Sequence, residues 1–249
     1  MGADPGARDV ERAGRERAVL TIFRVAATGS TNADMVAMAV RGAATESDWL
    51  IADTQTAGRG RQGRAWASPP GNLYASGLVT WRAGDPPAPT LALVAGLAVW
   101  EALLVPGLVL KWPNDLRADG AKVAGILLER HGDAVVIGIG VNLAHHPALP
   151  ERPTTSLAAL GIDGTVDETI AALADAMARW TAIWRADLAA IRIAWLARAH
   201  PLGTALSVAV PEGGRIDGAF AGLSADCALQ LRVAGGAVRS IHVGDVFIV

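Results

Sequence analysis

The strongest constraint on the fold is a change of sequence character at residue 201. Residues 166–200 contain neither glycine nor proline, and alanine, leucine and tryptophan recur there at helical spacing. This pattern predicts one or two helices with a break near 185–187. Pro201 and Gly203 end the segment, and short β-like runs separated by glycine-rich turns follow. We therefore predict a larger unit over 20–201 and a small β-unit over 202–249.

The larger unit alternates strand-like and helix-like segments, which predicts an α+β fold with a mixed β-sheet flanked by helices. Ser30 and Thr31 supply a helix N-cap. Helices are predicted at 31–41 and 88–104. Strands are predicted at 20–25, 48–53, 72–81, 108–112, 122–130 and 134–142, and in the small unit at 205–210, 216–223, 228–233, 238–242 and 246–249. About 45 residues bury little apolar surface alone, so we expect the small β-unit, a barrel, to pack against the larger one.

Composition limits the classes of function. The chain has 249 residues, of which 51% are apolar and 18% charged, as in a globular protein with a sizeable core. Its net charge of −2 leaves no general basic field for nucleic acid or an anionic membrane. The single cysteine, Cys227, excludes an intramolecular disulfide and fits the reducing cytoplasm.

Neither a targeting segment nor a membrane span is predicted. Residues 1–19 are polar and lack the apolar run of a signal peptide, so we expect a disordered leader. The most apolar segment, 88–110, is interrupted by Glu101, Pro106 and Gly107. Its uninterrupted part is shorter than the ~20 residues that a membrane-spanning helix needs.

A loop rich in glycine and arginine carries the clearest chemical signal. Residues 58–66 read Gly-Arg-Gly-Arg-Gln-Gly-Arg-Ala-Trp. Glycine lets the backbone approach a ligand closely, and arginine offers a planar fork of donors for carboxylate or phosphate oxygens. The loop therefore suits a small anion, although a flexible, solvated basic loop has the same composition.

Three further motifs follow the loop in order. They are Lys-Trp-Pro-Asn-Asp at 111–115, Lys-Val-Ala-Gly-Ile-Leu at 122–127 and Gly-Ile-Gly-Val-Asn at 138–142. Together with the loop 58–66, they resemble biotin–protein ligases, and the resemblance covers residues 20–249. It implies the fold shared by these ligases and class II aminoacyl-tRNA synthetases, with a C-terminal SH3-like β-barrel.

The resemblance implies a two-step reaction. Biotin's carboxylate attacks the α-phosphate of ATP, which gives biotinyl-5′-AMP and pyrophosphate. A lysine of a biotin carboxyl carrier protein domain then attacks the mixed anhydride and forms an amide. The first step brings two anions together, so preorganised cations must offset their repulsion, and Arg59, Arg61, Arg64 and Lys122 are the candidates.

The resemblance also implies the site residues. Lys122, Arg61 and Asp115 form the catalytic set, with Arg61 bridging the biotin carboxylate and the α-phosphate and Arg64 facing the β- and γ-phosphates. The biotin-binding set is Ser30, Thr31, Asn32, Gln55, Gly58, Arg59, Arg61, Trp66, Lys122 and Gly125. The ATP-binding set is Arg61, Arg64, Asn114, Asp115, Lys122 and Asn142.

ATP chemistry requires Mg²⁺, an ion that prefers carboxylate, phosphate and water oxygens. Asp115 is therefore the best candidate for a direct protein ligand of Mg²⁺ or for a residue next to such a ligand. The five histidines show no metal-binding spacing. The second step needs a neutral amine, although lysine's ordinary pKa is ~10.4. We hypothesise that Asp115 orients or deprotonates the incoming lysine.

Three features differ from other members of the family. The residues before Leu20 leave no room for a helix-turn-helix domain of ~60 residues, so we expect a purely catalytic protein without operator DNA binding. Cys227 stands where relatives often have glycine, so we expect a strained positive φ there. The loop 145–155 contains no aromatic residue that could cover the adenine.

Two alternative functions stay open at this point. One is a lipoate or octanoate ligase or transferase of the related fold, although those enzymes lack the Gly-Arg-Gly-Arg loop. The other is a nucleic-acid-binding protein that uses the loop arginines on phosphates, against which the net charge counts. The edge of the sheet could pair or stay single, so a homodimer is one option for the assembly.

Overall fold

The structure is a computed structural model that describes residues 20–149, 152–210 and 213–248. The predicted disordered leader, 1–19, lies outside the described residues, as does Val249 at the end of the last predicted strand.

Two β-sheets organise the chain. The first contains β1 (Ile22–Thr28), β2 (Trp49–Gln55), β3 (Leu73–Thr80), β4 (Val109–Lys111), β5 (Asp115–Ala118), β6 (Ala121–His131) and β7 (Ala134–Val141). The second contains β8 (Ala205–Ala209), β9 (Arg215–Leu223), β10 (Leu229–Arg232), β11 (Val238–Ile241) and β12 (Asp245–Ile248). The helices are α1 (Thr31–Val40), α2 (Leu91–Leu103), α3 (Val166–Ala186) and α4 (Leu188–Leu196).

The first sheet is mixed, as predicted. Its strand order is β1-β2-β3-β7-β6-β5-β4, with β1 parallel to β2 and the other neighbours antiparallel. Alternating side chains of its strands face opposite sides. Leu50, Leu78 and Val136 pack against α1 on one side, whereas α2, α3 and α4 pack against the other. The α+β architecture with helices on both faces of a mixed sheet is therefore confirmed.

The second sheet is antiparallel, in the order β11-β10-β9-β8-β12. Buried side chains of this sheet, such as Leu206 and Phe220, belong to the same apolar cluster as the helices of the first unit. Trp112 Nε1 also donates to the Cys227 carbonyl oxygen across the two units, at 3.3 Å. Cys227 has φ 66°, so the predicted positive φ is confirmed. The boundary at 201/202 stays a prediction.

Local sequence explains where α3 ends and α4 begins, but it does not predict strand β5. The predicted break near 185–187 occurs at Asp187, whose carboxylate caps α4 by accepting from the backbone N–H groups of Ala189 and Ala190. Strand β5 was not predicted, because its four residues follow turn chemistry at Pro113 and Asn114. They become a strand only by pairing with β6, with Asp115 opposite Gly125.

Within residues 20–149, 152–210 and 213–248, the helices are too short or too polar for any of them to cross a membrane.

His200 links the end of the first unit to the second and predicts a pH dependence of stability. Its ring centroid lies 4.3 Å from that of Phe220. Burial, with a smaller contribution from Lys111, lowers the pKa of His200 below its ordinary value of 6.5. The unfolded chain therefore takes up a proton at a higher pH than the folded protein does.

We expect the free energy of unfolding to fall as pH drops below about 6.5, with a slope of at most about 1.4 kcal/mol per pH unit from this group. Denaturant unfolding of the wild type, His200→Gln and His131→Gln between pH 8 and 5 measures that slope. His200→Gln should flatten it, whereas His131→Gln, at an exposed position, should leave it unchanged. Equal slopes in all three proteins would contradict the assignment.

Candidate functional site

A cavity of about 400 Å³ lies between the first sheet and β12 of the second. The start of α1, the loop 58–66, strands β6 and β7, and β12 supply its walls. Of the residues predicted for the two ligands, all but Gly58 line it. Gly58 lies behind the wall, where a Cβ atom would approach the Trp66 carbonyl oxygen to 2.7 Å. Glycine is therefore required at this position for packing of the loop.

Two lysines hold the carboxylate of Asp115 at the middle of the cavity. Lys122 Nζ lies 2.5 Å from Asp115 Oδ1, and Lys111 Nζ lies 3.5 Å from Oδ2. Burial alone would raise the pKa of Asp115, but the attraction of both ammonium groups outweighs it and lowers the pKa. Burial lowers the pKa of Lys111, although Asp115 partly offsets this. The group is therefore an ion-paired triad with one positive charge in excess.

The two arginines at the centre of the loop are held by the second sheet. Arg64 makes a bidentate ion pair with Asp245, at 2.6 and 3.2 Å. Arg61 donates to the Gly244 carbonyl oxygen at 3.0 Å and to Asn114 Oδ1 at 3.2 Å. The hydrogen bond with Arg64 lowers the pKa of Asp245 most, and burial only partly opposes this. A bidentate pair fixes the plane of a guanidinium, so β12 orients the basic loop.

One end of the cavity, lined by Ser30, Thr31 and Gln55, is polar but uncharged. Thr31 donates from its backbone N–H group and from its hydroxyl to Gln55 Oε1, at 2.9 and 3.2 Å. Gln55 Nε2 donates to Ser68 Oγ at 3.1 Å. The Ser30 side chain lines the cavity and makes no capping hydrogen bond to α1. This end therefore has the donors and acceptors that an uncharged polar group needs.

Trp66 separates the polar end from the basic middle. Its indole lies on the backbone of two adjacent strands, where a Cβ at Gly140 would come within 2.5 Å of the ring and one at Gly125 within 3.0 Å. Lys122 Nζ lies 5.2 Å from the ring centroid, a cation–π contact. Trp66 Nε1 is buried and has no hydrogen-bond partner among the described residues. A ligand that supplies an acceptor would satisfy this donor.

The charge of the lining selects for anions. Seven basic and two acidic side chains line the cavity, an excess of five positive charges. The basic residues are Arg59, Arg61, Arg64, Lys111, Arg117, Lys122 and Arg152, and the acidic ones are Asp115 and Asp245. A half-enclosed site with this excess favours a polyanion, and the uncharged end favours a neutral polar group.

Sequence reasoning missed four of these charged residues. Lys111 belongs to a motif that the sequence analysis identifies, and its position two residues before Pro113 was a usable signal. Arg117 and Arg152 have no motif around them. Asp245 is 181 residues away from Arg64, and its place in a short β-run gave no sign of the ion pair. Asn142, by contrast, was predicted and lines the cavity, donating to the Thr155 carbonyl oxygen at 3.0 Å.

Comparison with known proteins agrees with this site. Residues 27–142 match the Biotin/lipoate A/B protein ligase family, and residues 207–249 match the biotin protein ligase C terminal domain. The chain is 40% identical over 240 residues to a biotin--[acetyl-CoA-carboxylase] ligase of Paracoccus denitrificans, covering 90% of this chain and 98% of that protein. It is 38% identical over 234 residues to the Mycobacterium tuberculosis ligase of the same name, covering 89% and 86%.

Solved structures agree with the sequence comparison. The biotin protein ligase from Aquifex aeolicus in complex with biotin and ATP superimposes with a TM-score of 0.81 at 26% identity, covering 92% of this chain and 99% of that one.

Proposed function

Because the chain belongs to the biotin–protein ligase family, we propose that its cavity activates biotin with ATP as biotinyl-5′-AMP and transfers it to a lysine of a carboxylase carrier domain. The observation that carries this proposal is a single cavity with an uncharged polar end and a strongly basic middle. Biotin has one neutral polar ring system and one carboxylate, and ATP is a polyanion, so the two halves of the cavity suit the two ligands.

In the first step, a biotin carboxylate oxygen forms a bond to the α-phosphorus, and the bond to the pyrophosphate oxygen breaks. We assign Lys122 and Arg61 to neutralise the carboxylate and the α-phosphate, and Arg64 to bind the leaving pyrophosphate; all three line the cavity. Fixed cations that need no reorganisation stabilise developing charge most effectively. The ion pair of Arg64 with Asp245 supports this, since it holds the guanidinium in place before ATP binds.

In the second step, the carrier lysine amine attacks the carbonyl carbon of the anhydride. The C–N bond forms, the bond between the carbonyl carbon and the phosphate oxygen breaks so that AMP leaves, and the amine's proton passes to water. The lowered pKa of Asp115 makes it a weak base while both lysines hold it. We therefore favour an orienting role for Asp115 over the deprotonating role in our hypothesis.

The described residues of the cavity form no protein cage for Mg²⁺. Within the part of the chain that the structure describes, no group of three or more His, Cys, Asp or Glu side chains could hold a metal ion. Asp115 and Asp245 are each engaged by two cationic side chains. Mg²⁺ would therefore arrive with the phosphates of ATP, as is usual for this ion. Asp115 as a magnesium contact stays a prediction.

The alternatives receive less support. The relatives that cover most of the chain are named as biotin ligases, which does not favour lipoate or octanoate. The loop arginines line a cavity and pair with β12, which does not favour a nucleic-acid surface. A cytoplasmic location completes the proposal and rests on the sequence analysis, which leaves a homodimer as one option for the assembly.

Biotin-dependent ATP–pyrophosphate exchange tests the proposal, with lipoate and octanoate as parallel substrates. Exchange with biotin alone, followed by transfer to an isolated carrier domain, is the expected result. Exchange with lipoate instead would agree with the fold but would overturn the assignment of the polar end of the cavity to biotin's ring. Folded protein that shows no exchange with any acid in the presence of Mg²⁺ would overturn the proposed function.

The ion pair between Asp245 on β12 and Arg64 in the loop predicts that its loss weakens the binding of ATP but not of biotin. Asp245→Asn should raise the KM for ATP by about tenfold, because a hydrogen bond to a charged group contributes about 1.5–3 kcal/mol and Arg64 loses its bidentate partner. The KM for biotin should change little. Asp217→Asn, on an exposed position of the same sheet, is the matched control. A parallel rise in both KM values would show that Asp245 supports the whole site and not the nucleotide end.

A further inference from the structure

Glu129 is a half-buried carboxylate next to the polar end of the cavity, and the proposed reaction does not use it. It lies on β6, two residues after Leu127 and four after Gly125, both of which line the cavity. Residues two apart on a strand point to the same face. Glu129 therefore faces α1 and the polar end of the cavity from the adjacent position on the strand.

A single side chain, Asn32, fills the space between Glu129 and the cavity. Ser76, Gly138 and Leu127 are register partners across β3, β7 and β6. Asn32 lies over this row, and a Cβ at Gly138 would overlap its Oδ1 atom. The absence of a side chain at Gly138 is therefore what lets the Asn32 amide reach across the sheet to Glu129.

The hydrogen bonds of Asn32 fix which way its amide points. Nδ2 donates to Glu129 Oε2 at 2.7 Å, and Oδ1 accepts from Ser76 Oγ at 2.6 Å. An ionised carboxylate only accepts, so the NH₂ end of the amide must face Glu129. The oxygen end then faces Ser76, whose hydroxyl donates to it. Among the described residues, no cation pairs with Glu129, so its charge acts on Asn32.

The orientation of this amide affects the cavity wall through Ser76. Ser76 Oγ is also within donor distance of Thr31 Oγ1, at 2.8 Å, so its one proton is shared between Asn32 and Thr31, and the Thr31 hydroxyl in turn donates to Gln55 Oε1. If the amide were reversed, its NH₂ group would face Ser76, and the Ser76 proton would go to Thr31 alone. The donor or acceptor character of the Thr31 hydroxyl, which lines the cavity, therefore depends on Asn32.

From this geometry we infer that Glu129 is a positioning residue for the polar end of the cavity. It holds the Asn32 amide in one orientation, and this orientation fixes which groups of the wall donate and which accept hydrogen bonds from biotin's uncharged ring. The inference rests on the proposed function. A wall with fixed donors and acceptors distinguishes a ligand by its own pattern, because mismatched polar groups are left unpaired on binding.

A series of variants at Glu129 tests this inference by steady-state exchange kinetics. Glu129→Met removes the acceptor that orients the Asn32 amide and should raise the KM for biotin by about tenfold, because a wall with the wrong hydrogen-bond pattern leaves polar groups unpaired when biotin binds. Glu129→Gln keeps an acceptor but also offers donors, so it should raise this KM by less. The KM for ATP should stay unchanged in both. Glu101→Met, on α2 away from the cavity, is the matched control.

A charge exchange provides the second test. Asn32→Asp alone places two carboxylates together and should raise the KM for biotin strongly. When Glu129→Gln is added, the new carboxylate can accept from the amide introduced on β6 and still accept from Ser76. The double variant should therefore bind biotin more tightly than Asn32→Asp. This rescue is not expected if Glu129 merely stabilises the fold.

The outcomes separate the two proposals. Normal exchange by the wild type, with the same KM for biotin in Glu129→Met, would overturn the role of Glu129 and leave the proposed function intact. A double variant no better than Asn32→Asp, or equal rises in the KM for biotin and for ATP in Glu129→Met, would also overturn that role. A wild type without biotin-dependent exchange would overturn the proposed function and this inference together.

Discussion

Replacing Lys122 by methionine should lower the rate of biotin-dependent ATP–pyrophosphate exchange by about a thousandfold. Removing one fixed group that stabilises charge in the transition state typically costs a factor of about 10²–10³, and Lys122 has a second function here. It holds Asp115 at 2.5 Å, so its loss removes one of the two ammonium groups that pair with this carboxylate. Asp115 then repels biotin and ATP more strongly than it does in the wild type.

Exchange assays of Lys122→Met at saturating biotin and ATP measure this effect. Arg130→Met makes the same change of charge on the same strand, at an exposed position outside the cavity, and should keep full activity. The melting temperature of Lys122→Met should stay near that of the wild type, because Lys111 still neutralises Asp115. Retention of more than about a tenth of wild-type activity would exclude Lys122 from the chemical step.

Replacing Asp115 by asparagine should reduce both stability and activity. Lys111 is a buried cation whose nearest carboxylate is Asp115, at 3.5 Å. Removing one partner of a buried pair leaves the other charge uncompensated, which costs about 3–5 kcal/mol. For a chain of this size, that lowers the melting temperature by roughly 6–20 °C. Adenylation should fall as well, because Lys122 loses the carboxylate that positions it.

The rate of biotin transfer from biotinyl-AMP is the most informative measurement on Asp115→Asn. If Asp115 orients the carrier lysine, transfer from supplied biotinyl-AMP should also slow down. Adenylation that stops while transfer proceeds at the wild-type rate would overturn that part of the hypothesis. Asp133→Asn, in an exposed turn, controls for the loss of one acidic group. Thermal unfolding of both variants separates the loss of stability from the loss of chemistry.

The two sheets contribute to one site, which explains why the small C-terminal unit is joined to a catalytic domain. Gly244 and Asp245 from the second unit hold Arg61 and Arg64 from the first. The loop 58–66 is rich in glycine and would have many conformations without these contacts. We therefore expect the C-terminal unit to act on nucleotide binding through the loop, as the Asp245→Asn variant tests.

Much of the architecture follows from local sequence. The absence of glycine and proline over 166–200 predicts the helical region, and Asp187 ends one helix and caps the next where the break was expected. All but Gly58 of the predicted site residues line the cavity, although Lys111, Arg117, Arg152 and Asp245 were missed. Glycine spacing and residue type carry this information because they act over a few residues of chain.

Strand β5 shows where local information ends. Its four residues have no strand signal of their own, and pairing with β6 makes them a strand. Residues that pair with each other at the cavity are likewise brought together only by the tertiary structure. Asp245 meets Arg64 from 181 residues away, and Glu129 meets Asn32 from 97 residues away.

The sequence by itself determined the fold class and many of the residues that line the cavity, because periodicity, turn residues and capping are short-range properties of the chain. Only the tertiary structure decided which charges are paired, which way the Asn32 amide points, and that β12 completes the basic site. Those features depend on distances of a few ångströms between segments far apart in sequence. Electrostatic and hydrogen-bond energies vary steeply with such distances, and no local pattern encodes them.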